Sequence, residues 1–147
     1  MTRPIAPALL ALTLGCALAS QAAAQASFQQ QIRTALRTAA GGAQGMRTEG
    51  EPLMGVLNGR ATETKVVELQ AGVHYVIVGV CDESCTDLNL RIVGPGGAGG
   101  AEDAQPNNTP TLDFTTPAAG RYRLAVEMTT CAANPCAWGV QVLSVRQ

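Results

Sequence analysis

Short stretches of alternating and continuous hydrophobicity dominate the chain after residue 53. Residues 87–92 and 121–128 alternate strictly between polar and apolar side chains, which places every second side chain on one face of a strand. Residues 73–80 form an almost unbroken apolar run, which is typical of a central strand covered on both faces. The other predicted strands are 53–57, 61–69, 111–115 and 138–145, and a further strand is possible near 98–103. About seven short strands at this spacing predict an all-β fold, a two-sheet antiparallel β-sandwich.

The same alternation predicts which side chains fill the core and how two strands are joined. Asn58-Gly59 lies between two predicted strands and is typical of a tight β-hairpin. The predicted core residues are Leu88, Leu90, Ile92, Tyr122, Leu124, Val126, Met128, Val140, Val142 and Val145.

A helical period precedes the strands. Ser27 and Gln30 form a capping box, apolar residues recur at helical spacing as far as Ala39, and Gly41 ends the pattern. We expect this short helix to pack on its own domain, with docking to a partner as the alternative. Residues 41–52 are rich in glycine and polar residues, which predicts a linker and a β-domain spanning 53–147.

Residues 1–26 have the pattern of a secretory signal peptide. A positive charge at Arg3 precedes an apolar run and then small residues, with Ala-x-Ala sites that allow cleavage after Ala24 or, as we favour, after Ala26. The apolar run is shorter than the roughly 20 residues of a membrane-spanning helix, so no transmembrane segment is predicted in the mature chain. Lipid attachment at Cys16 is an alternative. The signal predicts a periplasmic or secreted protein.

Four cysteines remain after the signal: Cys81, Cys85, Cys131 and Cys136. An even number of cysteines in an exported chain predicts two disulfides. The short spacings within each pair favour local pairing, although cross-pairing stays open. A zinc site made of the four thiolates is the alternative, which an oxidising compartment disfavours.

Composition limits the functions that this chain can have. It has 147 residues, of which 46% are hydrophobic and 14% charged, which suits one folded domain and excludes a large multidomain enzyme. Ten basic against eleven acidic residues give a formal net charge of −1, which argues against nucleic acid as a partner.

The sequence contains no catalytic motif with the neighbouring residues or elements that its chemistry requires. His74 is the only histidine and has no nucleophile motif around it. The spacing of Gly94, Gly96 and Gly99 matches a dinucleotide fingerprint, but no helix is predicted after it, so we expect a flexible loop. The sequence therefore predicts a non-enzymatic protein without a required cofactor.

Acidic residues near the first cysteine pair suggest one metal hypothesis. Oxygen ligands of the kind that calcium prefers are offered by Asp82, Asp87, Asn89 and Asp103. Fewer than the usual six ligands can be named, so we favour a solvated polar turn over a calcium site.

Several short motifs carry a family resemblance over residues 53–145. They are Gly72 with Tyr75, the strand 87–90, the turn Pro95-Gly96, and Gly120-Arg121-Tyr122 at the start of a late strand. With these motifs the chain resembles the bacterial pre-peptidase C-terminal domain, a small β-sandwich often appended to secreted peptidases. The resemblance implies a sandwich fold, a link to proteolysis and a calcium site.

The sequence thus predicts an exported, non-enzymatic binding or accessory module whose partner is a secreted or cell-envelope protein. The alternatives are a partner or inhibitor of a secreted peptidase, and a structural module stabilised by calcium.

Overall fold

The computed structural model describes residues 15–145, with side chains from Ala26 onward. The predicted signal segment 1–26 lies largely outside the described side chains, so its cleavage site and the lipidation of Cys16 stay predictions. The helix α1 spans Gly15–Ala40. The strands are β1 Met46–Leu57, β2 Ala61–Leu69, β3 His74–Cys81, β4 Cys85–Val93, β5 Gly100–Asp103, β6 Thr111–Thr115, β7 Gly120–Cys131 and β8 Cys136–Val145.

The strands form two four-stranded antiparallel sheets. Sheet A has the order β1-β8-β3-β6, and sheet B has the order β2-β7-β4-β5. The all-β sandwich is therefore confirmed, and the apolar run predicted as a central strand, β3, lies between β8 and β6. The possible further strand near residues 98–103 is present as β5. It pairs with the end of β4 and forms an edge of sheet B.

The core lies between the sheets and follows the alternation of the strands. Leu88, Leu90 and Ile92 of β4 face inward and are buried, as are the four core residues predicted in β7. Trp138 of β8 is the largest fully buried side chain of the described residues. Val145 was predicted in this core, and that prediction is wrong. Val145 is 41% exposed because it is an odd number of residues from Val140 and Val142 and therefore faces the other way.

The Asn58-Gly59 turn is not a hairpin turn. β1 pairs with β8 in sheet A and β2 pairs with β7 in sheet B, so this turn carries the chain from one sheet to the other. The positive φ, 66°, falls on Arg60, and the Ala61 N–H donates to the Asn58 carbonyl at 3.1 Å. The hairpin prediction is wrong because the flanking strands belong to opposite layers.

The first strand begins earlier than the sequence pattern predicts, inside the expected linker. Met46 to Glu49 pair with the end of β8, and the register then shifts before Leu53. Gly50, with a φ of 67°, lies in this irregular stretch together with Pro52. Because β1 is an edge strand, proline and a bulge are tolerated there.

Helix α1 covers part of the outer face of sheet A. Ile32 and Leu36 are buried against Val80 and Ala137. Gly139 makes this approach possible: a Cβ atom at that position would overlap the Ile32 side chain and lie 3.0 Å from Leu36 Cδ1. The predicted packing of the helix on its own domain is confirmed.

Candidate functional site

The four cysteines form two local disulfides, Cys81–Cys85 and Cys131–Cys136. Local pairing is confirmed, and a zinc site built from all four thiolates is ruled out. Each disulfide joins the end of a strand in one sheet to the start of a strand in the other. Cys85 and Cys131 are partners across β4 and β7, so the two disulfides lie at the same end of the sandwich. We call these two disulfides and the turn 58–60 the stapled end.

The predicted calcium ligands do not share one surface. Asp87 and Asn89 lie on the outer face of sheet B, opposite to the buried Leu88 and Leu90. Asp103 is the cross-strand partner of Leu90 and therefore belongs to the inner side of that sheet.

Two of these carboxylates already have partners. Asp82 accepts hydrogen bonds from the backbone N–H groups of Ser84, at 3.0 Å, and Ala137, at 2.6 Å. Asp103 accepts from the N–H groups of Gln105 and Thr111, at 3.1 and 2.8 Å. The role of Asp82 and Asp103 in the fold is therefore to cap turns and strand ends.

The other two ligands each keep one buried oxygen without a hydrogen-bond partner, as does Thr129 on the neighbouring strand. Within residues 15–145, no group of three or more His, Cys, Asp or Glu side chains is placed to hold a metal ion. Calcium binding by Asp82, Asp87, Asn89 and Asp103 therefore stays a prediction.

His74 lies at the start of β3 and is paired with Asp113 of the edge strand β6. Its Nε2 is 2.7 Å from Asp113 Oδ1, and both side chains are well exposed. This pair spans two strands on the surface. The partner of the ring nitrogen Nε2 is therefore a carboxylate, not a hydroxyl or a thiol.

The glycine-rich segment after β4 is a loop, as predicted. Pro95–Gly97 forms a single 3₁₀ turn, and the Gly94 N–H donates to the Gly99 carbonyl at 3.1 Å. The next element is the strand β5, and not an α-helix that could present amide groups to a phosphate, so the match to the dinucleotide fingerprint has no structural counterpart.

An apolar groove lies between α1 and the edge strand β1. We call it the α1–β1 groove. Its volume is about 480 Å³. Phe28 and Val56 stand on its two walls and are 49% and 61% exposed, the most of any large hydrophobic side chains described. The groove is lined by Phe28, Gln29, Ile32, Met54, Gly55, Val56, Asp82, Pro135, Ala137 and Trp138.

The apolar stripe of the sequence predicts the helix that carries Phe28, but not the groove beside it. Phe28 belongs to the helical stripe, yet the stripe is buried only where Ile32 and Leu36 lie over sheet A. Val56 points outward because its neighbours Leu53 and Leu57 pack on the core. The missing information was which strand forms the edge beside the helix, and that is set by pairing between distant segments.

A second, polar cavity of about 710 Å³ opens at the other end of the sandwich. The Ser144 hydroxyl donates to Glu49 Oε1 at 2.5 Å, and Arg47 Nε lies 2.8 Å from the same oxygen. The hydroxyl of Ser144, and after it Arg47, hold the pKa of Glu49 below its usual value, against the opposing effect of burial. The lining is Arg47, Glu49, Glu68, Gln70, Val73, Tyr75, Ser144 and Val145.

Over the described residues, no helix combines the length and the apolar character needed to cross a membrane.

Comparisons with known proteins identify no family. No family model matches the chain, and no curated protein matches it. Among solved structures, the chain is similar to the crystal structure of Aeromonas hydrophila PliG, described as a periplasmic lysozyme inhibitor of g-type lysozyme. The identity is 18% and the TM-score 0.41, over 66% of this chain and 85% of that chain.

Proposed function

We propose that this chain is an exported, non-enzymatic binding module that recognises a partner protein through the α1–β1 groove. The observation that carries the proposal is the pair of exposed hydrophobic side chains, Phe28 and Val56, on opposite walls of one apolar groove. Exposed apolar surface gathered at one place is characteristic of interaction sites, whereas isolated exposed side chains are ordinary.

The groove is preorganised. Its helical wall is held by the burial of Ile32 and Leu36, and its floor at Ala137 is fixed by the bond to Asp82. Arg33 of the helix also pairs with Glu51 of β1 at 3.1 Å. A binding surface that is already ordered loses little conformational entropy on association.

The occupant that fits this surface is an extended segment with an apolar side chain. β1 is one of the two edge strands of sheet A, so among the described strands one side of its backbone is unpaired, next to the groove. An extended segment of a partner can add to such an edge through backbone hydrogen bonds, while a side chain enters the neighbouring apolar pocket.

Two observations support a role without catalysis. The only histidine is engaged with Asp113 on the surface, and the four cysteines of the mature chain are all in disulfides. Disulfides persist in oxidising compartments, which fits the predicted export to the periplasm or the medium. The partner is then a secreted or cell-envelope protein.

A secreted peptidase is the narrower proposal for that partner. Its support is the resemblance of residues 53–145 to the domain that accompanies such peptidases. The chain acts in this case as an accessory or inhibitory protein that a peptidase engages at the groove.

The test is site-specific photo-crosslinking in the source organism. A photoreactive residue replaces Val56 in one variant and Val66 in the control, because Val66 is also an exposed valine, 47% exposed, but lies on sheet B. The captured protein is identified by mass spectrometry and expressed. Its affinity is then measured for the wild type and for the variants Phe28→Ser, Val56→Ser and Val66→Ser.

We expect a defined partner from position 56 and not from position 66. Phe28→Ser and Val56→Ser each weaken the affinity by at least about tenfold, since burying such a side chain contributes about 1.5–3 kcal/mol. Equal effects of the two valine variants would refute the groove as the binding site. A captured peptidase that is inhibited or stabilised by the chain supports the narrower proposal, and a partner without peptidase activity removes it.

A further inference from the structure

We propose that Asn58 is a site of spontaneous deamidation whose rate is controlled by Asn134. Asn58-Gly59 lies at the stapled end of the sandwich. It is the dipeptide that was predicted to form a hairpin and instead connects the two sheets.

The reaction requires only the chain and water. The backbone nitrogen of Gly59, after losing its proton, attacks the side-chain carbonyl carbon of Asn58. The new N–C bond closes a succinimide ring, the bond from that carbon to Nδ2 breaks, and ammonia leaves with the proton. Water then opens the ring at either carbonyl to give aspartate or isoaspartate. Glycine favours the attack because it has no side chain to hinder its nitrogen.

Asn58 itself is available for this reaction. Its side chain is exposed and shares no hydrogen bond with the described part of the chain. The nitrogen that would attack, the backbone nitrogen of Gly59, is restrained by a hydrogen bond. The Gly59 N–H donates to Asn134 Oδ1 at 2.7 Å, which keeps the proton on the nitrogen and fixes its direction.

The rest of the turn is also tied down. The next N–H groups, of Arg60 and Ala61, donate to the carbonyls of Met128 and Asn58 at 2.6 and 3.1 Å. Succinimide closure needs rotation about these backbone bonds, so each of these hydrogen bonds opposes it. Asn134 supplies the only one of the three that comes from a side chain, and it can therefore be removed without changing the backbone.

Asn134 owes its position to the second disulfide. It lies inside the short loop closed by Cys131–Cys136. This loop packs on the turn: a Cβ atom at Gly59 would lie 3.5 Å from the backbone nitrogen of Cys131 and 3.6 Å from Asn134 Oδ1. By positioning Asn134, the disulfide loop thus slows the deamidation of Asn58.

The product would alter the connection between the sheets. Aspartate adds one negative charge beside Arg60, and isoaspartate inserts an extra methylene into the backbone of a short turn. The inter-sheet turn of an aged molecule would therefore differ from that of a new one, and loss of the second disulfide would hasten the change.

The experiment compares deamidation rates in the folded, oxidised mature chain. Wild type and the variants Asn134→Ala, Asn134→Asp and Gly59→Ala are incubated at neutral pH, and peptides containing Asn58 are quantified by mass spectrometry. Asn134→Asp keeps an acceptor oxygen. Gly59→Ala fits, because its Cβ would make only ordinary contacts. Melting curves confirm that each variant is folded, and the reduced chain in urea gives the unrestrained rate.

We expect Asn134→Ala to deamidate at Asn58 about two- to tenfold faster than the wild type, the factor that one hydrogen bond accounts for. Asn134→Asp should keep the wild-type rate, and Gly59→Ala should be slower than the wild type. The unfolded chain should react fastest. Equal rates in Asn134→Ala and the wild type, or a folded wild type as fast as the unfolded chain, would overturn the proposal.

Discussion

The outer faces of the two sheets differ although the sheets share one core. In sheet A the strand β8 is buried on both faces along almost its whole length, with Ala137 and Gly139 under the helix. In sheet B the strand β7 alternates, with Arg121, Arg123 and Glu127 exposed on its outer face. Small apolar outward positions therefore identify the sheet that a helix covers, and charged ones identify the sheet that faces solvent.

This difference also explains how the helix is stabilised. If cleavage occurs after Ala26, the mature helix spans residues 27–40, and an isolated helix of this length is marginal in water. Its helical state then depends on sheet A, through Ile32 and Leu36. The helix and the outer face of that sheet stabilise each other, whereas the outer face of sheet B carries charged side chains and can face solvent.

The largest effect is expected from removing the contact between helix and sheet. Leu36→Ala deletes most of a buried side chain and should lower the free energy of unfolding by about 2–5 kcal/mol. Val66→Ala, at an exposed position of sheet B, should change it by no more than about 0.5 kcal/mol. Denaturant titrations of both variants measure the two values, and similar losses would contradict the comparison.

A smaller effect is expected from filling the space that Gly139 leaves for the helix. Gly139→Val pushes a side chain into Ile32 and Leu36 and should cost about 1–3 kcal/mol. Ala125→Val adds volume at a half-buried position on the outer face of sheet B and should cost less, because α1 packs on sheet A and not on β7. Thermal unfolding compares the two, and a tolerated valine at 139 would show that the helix is not docked there.

The polar cavity at the end of the sandwich opposite the stapled end should respond to pH. The pKa of Glu49 is lower in the folded chain than in the unfolded chain. The ionised carboxylate therefore adds to the free energy of unfolding above the pKa of the unfolded chain, and this stabilisation is lost as pH falls through the pKa of the folded chain. Glu49→Gln should therefore be about 0.5–1 kcal/mol less stable than the wild type at pH 7, and this difference should disappear as pH falls through the pKa of Glu49 in the folded chain.

The control for this pH effect is Glu68→Gln in the same cavity, because Glu68 has no ion-pair partner among the described residues. Chemical unfolding from pH 3 to 8 measures the stability differences. A difference between Glu49→Gln and the wild type that is independent of pH would show that the charge of Glu49 does not matter.

The smallest effect on stability is expected at the edge of sheet B. Lys65 of β2 forms an ion pair with Glu63 and lies 5.8 Å from the ring of Trp138. Lys65→Met should change stability by less than about 1 kcal/mol, but should increase self-association on heating, because an inward charge on an edge strand opposes edge-to-edge pairing. Light scattering measures this, with Lys65→Arg as the control, and equal scattering by both variants would exclude the role.

Sequence patterns predicted the layers of the fold better than its connections. Strict alternation located the core residues of β4 and β7, since period two depends only on local pleating. The Asn58-Gly59 turn was assigned to a hairpin because local residues cannot tell whether the next strand joins the same sheet. The early part of β1 was missed for a related reason. Its glycine and proline suit a loop, and only the edge position makes them acceptable in a strand.

The candidate sites show the same division. Local cysteine pairing could be predicted from short spacings, although Cys85 and Cys131 are neighbours and cross-pairing was open to the sequence alone. Phe28 was recognised as part of the helical stripe, but its place beside Val56 depends on which strand lies at the edge. The hydrogen bond between Gly59 and Asn134 joins residues that are far apart in the sequence, so no local pattern predicts it.

Hydrogen–deuterium exchange on the mature chain tests the central claim most directly, that α1 is docked on sheet A and forms one wall of the groove. We expect the amides of residues 32–40 to be protected nearly as well as those of β8, and we expect Leu36→Ala to remove this protection while β7 keeps its own. Exchange of the helix amides at the rate of an unstructured peptide, in a chain whose strands are protected, would contradict both the docking of the helix and the groove built on it.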